Sequence, residues 1–234
     1  MADFTGVRHV VVDIEGTTSA SAFVYDVLFP YAADRFATWI AEHPGDADTR
    51  RIIDEVAREA GIERPSDDEI VSVLRQWVAE DRKATPLKDL QGLIWQQGFA
   101  EGDLVSDFFP DALDAIRQWR EDGYAISVYS SGSVLAQRNW YAHSPAGDLT
   151  EWISGYYDTA NAGPKRDPSS YRAIAAAIDV APQALLFCSD VVAELDAATD
   201  AGWQVVRVRR DGEPHAMGGS AYPEVANMAD IHLV

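Results

Sequence analysis

Two carboxylates, Asp13 and Glu15, come directly after an apolar run at residues 10–12 and precede a glycine and two threonines. An apolar, β-rich run that ends on acids is typical of an α/β sheet, whose ligands bind beyond the carboxyl ends of the strands. Side chains alternate along an extended backbone, so we expect both carboxylates on one side and Ile14 on the other. Such a pair can divide the roles of nucleophile or metal ligand and of general acid and base. The structural alternative is a helix N-cap at Asp13 and a solvated Glu15.

Further polar residues lie at or near the ends of the later predicted strands: Ser130, Ser131, Lys165, Asp190 and Glu194. Taken singly, the serines fit a turn with a helix cap, and Lys165 fits a solvated loop lysine. Asp190 fits an N-cap, and Glu194 a first-turn charge favoured by the helix dipole. A shared sheet would bring all of them to one edge.

Together these groups meet the requirements of phosphoryl transfer through an aspartyl intermediate. Asp13 is ionised at neutral pH and can attack phosphorus. Because two anions need a bridging cation, we expect Mg²⁺ bound by Asp13 and Asp190. The two serine hydroxyls and the lysine ammonium would neutralise the phosphoryl oxygens. Glu15 would protonate the leaving oxygen and later activate water.

Composition limits the partners. The chain has 234 residues, with 19 basic and 38 acidic side chains and a net charge of -19. Such a surface repels nucleic acid and anionic lipid, so we expect neither nucleic acid nor a membrane as partner. A single cysteine, Cys188, fits a reducing compartment, and no apolar run nears the length of a membrane span. We expect a cytoplasmic, monomeric protein without a signal peptide.

The elements that must position these residues divide the chain into two parts. Residues 20–100 have helical periodicity, with Gly61 predicted to end one helix and Pro86 to stand in the first turn of another. From about residue 101 onward, predicted helices and strands alternate, which favours a doubly wound, parallel, Rossmann-like sheet. We therefore predict an α/β fold with a core of residues 1–19 and 101–234 and an all-helical cap of residues 20–100 inserted after the first strand.

The strand ends resemble those of the haloacid dehalogenase-like phosphatases. That pattern is an Asp-x-Asp-x-Thr strand end, a Ser or Thr strand end, a Lys and an acidic pair. In this chain Glu15 stands at the position of the second Asp, and the acidic pair is Asp190 and Glu194. The glutamate and several further segments resemble one branch, the enolase-phosphatase (acireductone synthase) family of methionine salvage. The segments are Asp-Ile-Glu-Gly-Thr-Thr at 13–18, Ala-Phe-Val at 22–24, Asp-x-Leu-Phe-Pro-Tyr at 26–31, Asp-Arg-Lys-x-Thr-x-Leu-Lys-x-Leu-Gln-Gly at 81–92, Tyr-Ser-Ser-Gly-Ser-Val-x-Ala-Gln at 129–137, His-Ser at 143–144 and Gly-Asp at 147–148.

The resemblance covers nearly the whole chain and implies a substrate, a cofactor and site residues. The implied substrate is 2,3-diketo-5-methylthiopentyl 1-phosphate, a small phosphorylated diketone. It would be enolised and then dephosphorylated, with Mg²⁺, to the acireductone 1,2-dihydroxy-3-keto-5-methylthiopentene. The resemblance implies that Asp13 and Asp190 bind Mg²⁺ through their side chains and that Glu15 does so through its backbone carbonyl. The implied ligands of the substrate phosphate are Ser130, Ser131 and Lys165.

The base that enolises the substrate is less clearly indicated. Enolisation removes a proton from the carbon that bears the phosphate ester, and Glu15, as the leaving-group acid, must already reach the oxygen on that carbon. A glutamate reaches about 1.5 Å further than an aspartate. We hypothesise that Glu15 also takes or relays this proton. The alternative is a charged residue of the cap: Asp81, Arg82, Lys83 or Lys88.

Two other functions compete with this one. The first is a general Mg²⁺-dependent phosphatase of the same fold that acts on a small sugar phosphate or a similar ester. The second is a non-catalytic binding protein on the same scaffold, which would be expected to lack Asp13, Lys165 or Asp190. The sequence retains all three.

Overall fold

A computed structural model describes the whole chain, residues 1–234. The strands are β1 (Ala2–Phe4), β2 (His9–Val12), β3 (Ala125–Tyr129), β4 (Gly155–Tyr157), β5 (Leu185–Ser189), β6 (Gln204–Val208), β7 (Glu224–Val225) and β8 (Ile231–Leu233). The α-helices are α1 (Ser21–Phe23), α2 (Phe29–Glu42), α3 (Ala47–Ala60), α4 (Asp67–Ala79), α5 (Thr85–Glu101), α6 (Pro110–Glu121), α7 (Val134–Ala142), α8 (Pro168–Ile178) and α9 (Val192–Asp200). A π-helix (Val24–Leu28) joins α1 to α2, and short 3₁₀ helices lie at Thr150–Trp152, Pro182–Ala184 and Met228–Asp230.

The chain forms two compact units. The first combines Met1–Ser21 with Val105–Val234 and contains every strand, and the second is Ala22–Leu104. The second unit is all-helical, because its only regular elements are the π-helix and helices α2 to α5, with most of α1. That this helical unit acts as a cap for a catalytic core stays a prediction. None of the helices combines the length and apolar composition needed to cross a bilayer.

The first unit is built on a six-stranded sheet in the order β4-β3-β2-β5-β6-β7, with every neighbouring pair parallel. Strand β2 lies near its centre, and Val12 is in register with Val128 on one side and Cys188 on the other. All residues of β2 and β5 are buried, as expected for parallel strands covered by helices on both faces. The doubly wound α/β sheet predicted from the sequence is therefore confirmed. Its parallel strands bring their carboxyl ends to one edge.

An aromatic cluster packs beside the carboxyl-end edge. The rings of Tyr129, Tyr171 and Phe187 are buried and meet edge to face or tilted, with centroids 5.3–6.4 Å apart. Such pairs contribute about 0.5–1.5 kcal/mol beyond the area that they bury. Since two of these rings belong to β3 and β5 and the third belongs to α8, the cluster fixes that helix against the sheet.

The helical unit follows local capping signals. Helix α3 ends at Gly61, whose φ of 70° is the left-handed conformation that glycine adopts most readily. Helix α5 begins with Thr85 and Pro86. Both helix boundaries predicted from the sequence are confirmed. The helices then bury a shared apolar core that includes Phe36, Ile52, Leu74, Leu90 and Ile94.

Candidate active site

Asp13 stands at the carboxyl end of the central strand. Its N–H donates to the Cys188 carbonyl at 3.0 Å, which continues the ladder by one residue beyond Val12. The side chain is buried, and its Oδ1 accepts a 2.8 Å hydrogen bond from the Ile14 N–H. The carboxylate is thus held in one orientation by the turn that follows it.

The extended backbone that the sequence predicted through Glu15 ends before it. The chain turns at Ile14, whose carbonyl accepts hydrogen bonds from the N–H groups of Thr18 and Ser19 at 2.9 Å each. Within this turn Glu15 pairs with Ser19 in an isolated β-bridge, and the same-side placement expected for the Asp13 and Glu15 side chains stays a prediction. Ile14 is buried and Glu15 is exposed, so only Asp13 of the two acids lies in the buried cluster.

Lys165 is the counter-charge of that cluster. Its Nζ lies 2.7 Å from Asp13 Oδ1 and 2.7 Å from Glu194 Oε2, and the residue is buried. The Tyr171 hydroxyl donates to the Lys165 carbonyl at 2.8 Å, which fixes the lysine loop against α8. The reading of Lys165 as a solvated loop lysine is therefore excluded.

Glu194 joins the cluster from the first turn of α9. Its Oε2 accepts hydrogen bonds from Lys165 and from the Ser189 hydroxyl, the latter at 3.0 Å. Ser189 Oγ also lies 3.4 Å from Asp13 Oδ2. The sequence predicts Glu194 as half of an acidic pair or as a first-turn charge. Its direct pairing with Lys165 was not foreseen.

Asp190 lies against the turn that follows Asp13. Its N–H donates to Thr17 Oγ1 at 3.0 Å, while its buried Oδ2 has no hydrogen-bond partner. Gly16 allows this close approach, because a Cβ on residue 16 would lie 2.3 Å from Asp190 Oδ2. The φ of Gly16 is +73°, a second reason for glycine at this position.

The cluster carries more negative than positive charge. Burial, and then the Asp13 and Glu194 carboxylates, raise the pKa of Asp190 to about 8. Burial and the Asp13 carboxylate likewise raise the pKa of Glu194 above its ordinary value. Burial alone would lower the pKa of Lys165, but the two carboxylates outweigh it and raise that pKa. Three acids facing one ammonium call for a further cation.

The residues present fit a divalent metal. Asp190 Oδ2 is a buried oxygen without a partner, and oxygen is the donor that Mg²⁺ and similar hard cations prefer. The chain nowhere groups three His, Cys, Asp or Glu side chains in a metal-binding arrangement. A metal on Asp13 and Asp190 would therefore take its other ligands from backbone carbonyls, water or a substrate. Mg²⁺ commonly binds in this way, through one or two carboxylates plus phosphate and water.

The predicted phosphate ligands Ser130 and Ser131 follow β3, the strand beside β2. Ser130 is buried, and its hydroxyl oxygen accepts a 3.2 Å hydrogen bond from the Gly132 N–H. Ser131 is exposed. Helix α7 begins just beyond, capped by Ser133, whose hydroxyl accepts from the Ala136 N–H. The structure thus joins Asp13, Lys165 and Glu194 directly, with Asp190 adjacent and the serines one strand away.

Sequence reasoning missed Arg210. Its Nε and Nη2 donate to the Thr17 carbonyl at 3.2 and 2.9 Å, and its Nη1 lies 2.8 Å from both carboxylate oxygens of Asp111. A usable signal was present, because Arg210 follows β6 just as Asp190 follows β5. A polar residue soon after a buried parallel strand was the feature that identified the other sites.

Comparison with known proteins agrees with the fold. A family model of the haloacid dehalogenase-like hydrolases matches residues 7–202. The chain belongs to this class of hydrolases. Enolase-phosphatase E1 from Streptomyces avermitilis is 48% identical over 228 residues, which cover 94% of this chain and 95% of that protein. Enolase-phosphatase E1 from Saccharopolyspora erythraea is 45% identical over 100% of this chain and 98% of its own length. Within the class, the chain belongs to the enolase-phosphatase E1 family.

Solved structures agree on the architecture. The UTR4 protein from Saccharomyces cerevisiae superposes with a TM-score of 0.80 at 28% sequence identity, covering 94% of this chain and 98% of that one. CbbY from Rhodobacter sphaeroides, solved with xylulose-(1,5)bisphosphate, superposes with a TM-score of 0.61 at 15% identity, covering 97% of each chain. At that identity the second similarity concerns the fold alone.

Proposed function

We propose that this protein is a bifunctional enolase-phosphatase that converts 2,3-diketo-5-methylthiopentyl 1-phosphate to 1,2-dihydroxy-3-keto-5-methylthiopentene in methionine salvage. Membership of the enolase-phosphatase E1 family makes it a hydrolase that acts on a small phosphorylated substrate with a divalent metal. The observation that carries the proposal is the buried Asp13 carboxylate, held 2.7 Å from Lys165 Nζ beside the unpartnered Asp190 Oδ2. Mg²⁺ as that metal, a cytoplasmic location and a monomeric state belong to the same proposal.

In the phosphatase half, Asp13 is the nucleophile. Its carboxylate attacks phosphorus, the bond between phosphorus and the ester oxygen breaks, and an aspartyl phosphate forms. Lys165, already bonded to Oδ1, restrains rotation of the carboxylate and offsets the negative charge of the incoming phosphoryl group. The Ser130 and Ser131 segment supplies a hydroxyl and backbone N–H groups near the start of α7.

Glu15 is assigned the proton transfers. It donates a proton to the departing enol oxygen, and its carboxylate then accepts a proton from the water that hydrolyses the aspartyl phosphate, which releases inorganic phosphate and restores Asp13. Glu15 is exposed, which suits a group that must meet substrate and water. We also assign to Glu15 the removal of the proton from carbon 1 in the preceding enolisation. The electron pair of that C–H bond forms the double bond to carbon 2, the carbon 2 oxygen takes a proton from solvent, and Glu15 is left protonated for the departing oxygen.

The metal would be held by the Asp13 and Asp190 side chains, together with the Glu15 backbone carbonyl. When bound, Mg²⁺ supplies positive charge that lets the carboxylate approach the phosphate and polarises substrate oxygen. It would also compensate the negative charge of Asp13 and Glu194 that, after burial, raises the pKa of Asp190.

The proposal is tested by following enol absorbance and phosphate release together on 2,3-diketo-5-methylthiopentyl 1-phosphate, with Mg²⁺ and with EDTA. We expect enol to appear before phosphate and EDTA to abolish phosphate release. An Asp13→Asn variant is the matched control, because it removes the nucleophile with little change of shape. Phosphate release from simple esters, with no enol from the diketone, would indicate a general phosphatase instead. A wild-type protein inactive on all these esters would indicate a binding protein on this scaffold.

A further inference from the structure

Arg210 is a buried arginine whose donors serve the turn after Asp13. Nε and Nη2 both donate to the Thr17 carbonyl, while Nη1 pairs with both oxygens of Asp111 at 2.8 Å. The guanidinium also lies 4.2 Å from the centre of the Phe109 ring. Asp111 is fixed in turn, because its Oδ2 accepts from the Met228 N–H at 2.8 Å. The contacts with Asp111 and Phe109 therefore fix the orientation in which the guanidinium donates to Thr17.

Thr17 transmits this restraint to Asp190. Its carbonyl accepts from Arg210, and its hydroxyl accepts from the Asp190 N–H at 3.0 Å and lies 3.5 Å from Asp190 Oδ1. The fit at this point is close, since a single added carbon at Gly16 would overlap Asp190 Oδ2. A small displacement of the turn at residues 16–17 would therefore displace the Asp190 carboxylate.

A second contact from the same loop fixes the far end of the turn. Glu213 Oε2 accepts a 3.0 Å hydrogen bond from the Ser21 N–H. The Thr18 carbonyl accepts from the Phe109 N–H at 2.9 Å. The backbone of the segment 17–21 is thus held at Thr17, Thr18 and Ser21 by residues remote from it in sequence.

We propose that Arg210 is a positioning residue for the metal site: by holding the Thr17 carbonyl, it sets the hydroxyl that orients Asp190. The inference rests on the proposed function in one respect, because it takes Asp190 as a metal ligand. The hydrogen bonds of Arg210 go to Thr17, Asp111 and the Ala226 carbonyl, and none goes to Asp13, Asp190 or Glu194. Residues hydrogen-bonded directly to a metal ligand, as Thr17 is to Asp190, commonly change metal affinity 10- to 100-fold. Because Arg210 acts through Thr17, we expect its effect at the lower end of that range.

Arg207 provides a matched control. It is also a fully buried arginine of the first unit, and it likewise donates to backbone carbonyls, those of Gly218 and His215, and pairs with a carboxylate, that of Glu224. Its backbone partners lie in the loop after β6 that also carries Arg210 and Glu213, but the hydrogen bonds of Arg207 go to His215, Met217, Gly218 and Glu224 and not to the turn after Asp13. An Arg207→Lys variant therefore loses comparable contacts without touching Thr17.

The test is the dissociation constant for Mn²⁺ alone, measured by electron paramagnetic resonance on the purified full chain. For Arg210→Lys, which keeps the charge but loses the forked donors, we expect the constant to rise about tenfold. For Arg207→Lys we expect a change of less than about twofold. Circular dichroism melts establish that each variant is folded. Should Arg210→Lys fail to fold, Asp111→Asn, which keeps the arginine but removes its charged partner, is expected to raise the constant about threefold.

Each outcome of the Mn²⁺ measurement either supports or overturns the positioning role of Arg210. An unchanged Mn²⁺ constant in folded Arg210→Lys or Asp111→Asn would overturn the inference, as would an equal rise in Arg207→Lys. Wild-type protein that binds no Mn²⁺ would overturn both this inference and the metal assignment. Wild-type protein that binds Mn²⁺ with the expected dependence on Arg210, yet leaves the diketone phosphate unchanged, would overturn the proposed substrate and support the positioning role.

Discussion

Lys165 Nζ lies 2.7 Å from Asp13 Oδ1, and each of the two side chains exposes only 6% of its surface. The same nitrogen lies 2.7 Å from Glu194 Oε2. A buried ammonium shared by two carboxylates cannot be replaced by water, so its removal leaves charge without compensation. Lys165, which we assign to the phosphatase reaction, therefore also stabilises the fold.

Lys165→Met is expected to lower the free energy of unfolding by about 3 kcal/mol, because two buried carboxylates lose their counter-charge. It is also expected to abolish phosphate release. Urea unfolding and the phosphate assay measure the two effects. Lys83→Met is the control: its ion pair with Asp81 is solvent-exposed, and such pairs contribute about 0–1 kcal/mol. Equal stabilities for the two variants would contradict the burial of the Lys165 charge.

Gly16→Ala is expected to reduce phosphate release at least about 100-fold, because the new Cβ would displace Asp190 from the metal site. Gly6→Ala is the control that distinguishes the clash with Asp190 from the strain of a left-handed backbone. Gly6 has a φ of +69°, close to the +73° of Gly16, but a Cβ there would meet no atom within 4 Å. Both variants should lose about 1 kcal/mol of stability from the left-handed backbone, and only Gly16→Ala should lose activity. Equal activities would show that Asp190 tolerates the displacement.

Glu15→Gln is expected to bind the diketone phosphate and to carry out neither enolisation nor phosphate release, because the amide cannot accept or deliver the proton. Glu15→Asp keeps the acid and shortens its reach by about 1.5 Å, so phosphate release from simple esters should survive better than enolisation. Enol absorbance and phosphate are followed in one reaction. Accumulation of enol by Glu15→Gln would assign the enolisation base to another residue.

Metal binding should be measurable without substrate, as a change in thermal stability. Addition of Mg²⁺ is expected to raise the melting temperature of the wild-type protein. At a free Mg²⁺ concentration 100 times the dissociation constant, the free energy of unfolding should rise by about 2.7 kcal/mol. Asp190→Asn should abolish that rise, since it removes the unpartnered buried oxygen. Asp200→Asn, an exposed acid at the end of α9, should keep it. A rise that persists in Asp190→Asn would place the cation elsewhere.

The burial of His9 is expected to make the stability of the fold depend on pH, independently of the candidate active site. Burial lowers its pKa from 6.5 to about 4. Between these values the unfolded chain binds more protons than the folded one, so stability is full above pH 6.5 and falls as the pH drops toward 4. The loss at pH 4 is expected to reach about 3 kcal/mol.

The comparison for His9 is a His9→Gln variant, whose amide can keep the 2.8 Å contact with the Ser127 hydroxyl but does not titrate. The quantity to compare is the difference in urea stability between the two proteins at pH 7 and at pH 4, because carboxylates elsewhere contribute equally to both. The same difference at pH 7 and at pH 4 would show that folding does not lower the pKa of His9.

Much of the fold could be predicted because its signals are local. The helix end at Gly61 and the helix start at Pro86 each depend on the φ angles of one or two residues. The parallel sheet followed from alternating strands and helices. The same local signals do not predict the turn after Asp13, where the N–H groups of Thr18 and Ser19 both donate to the Ile14 carbonyl.

The sequence by itself determined that acids, hydroxyls and a lysine follow buried parallel strands, which is why the chemistry of the site and its family could be inferred. Only the tertiary structure decided that Lys165 pairs with both Asp13 and Glu194, and that Arg210 reaches Thr17 across 193 positions of sequence. The reason is physical. Which carboxylate a buried cation pairs with depends on strand register and helix packing, and no property of either residue's own neighbours specifies that distance.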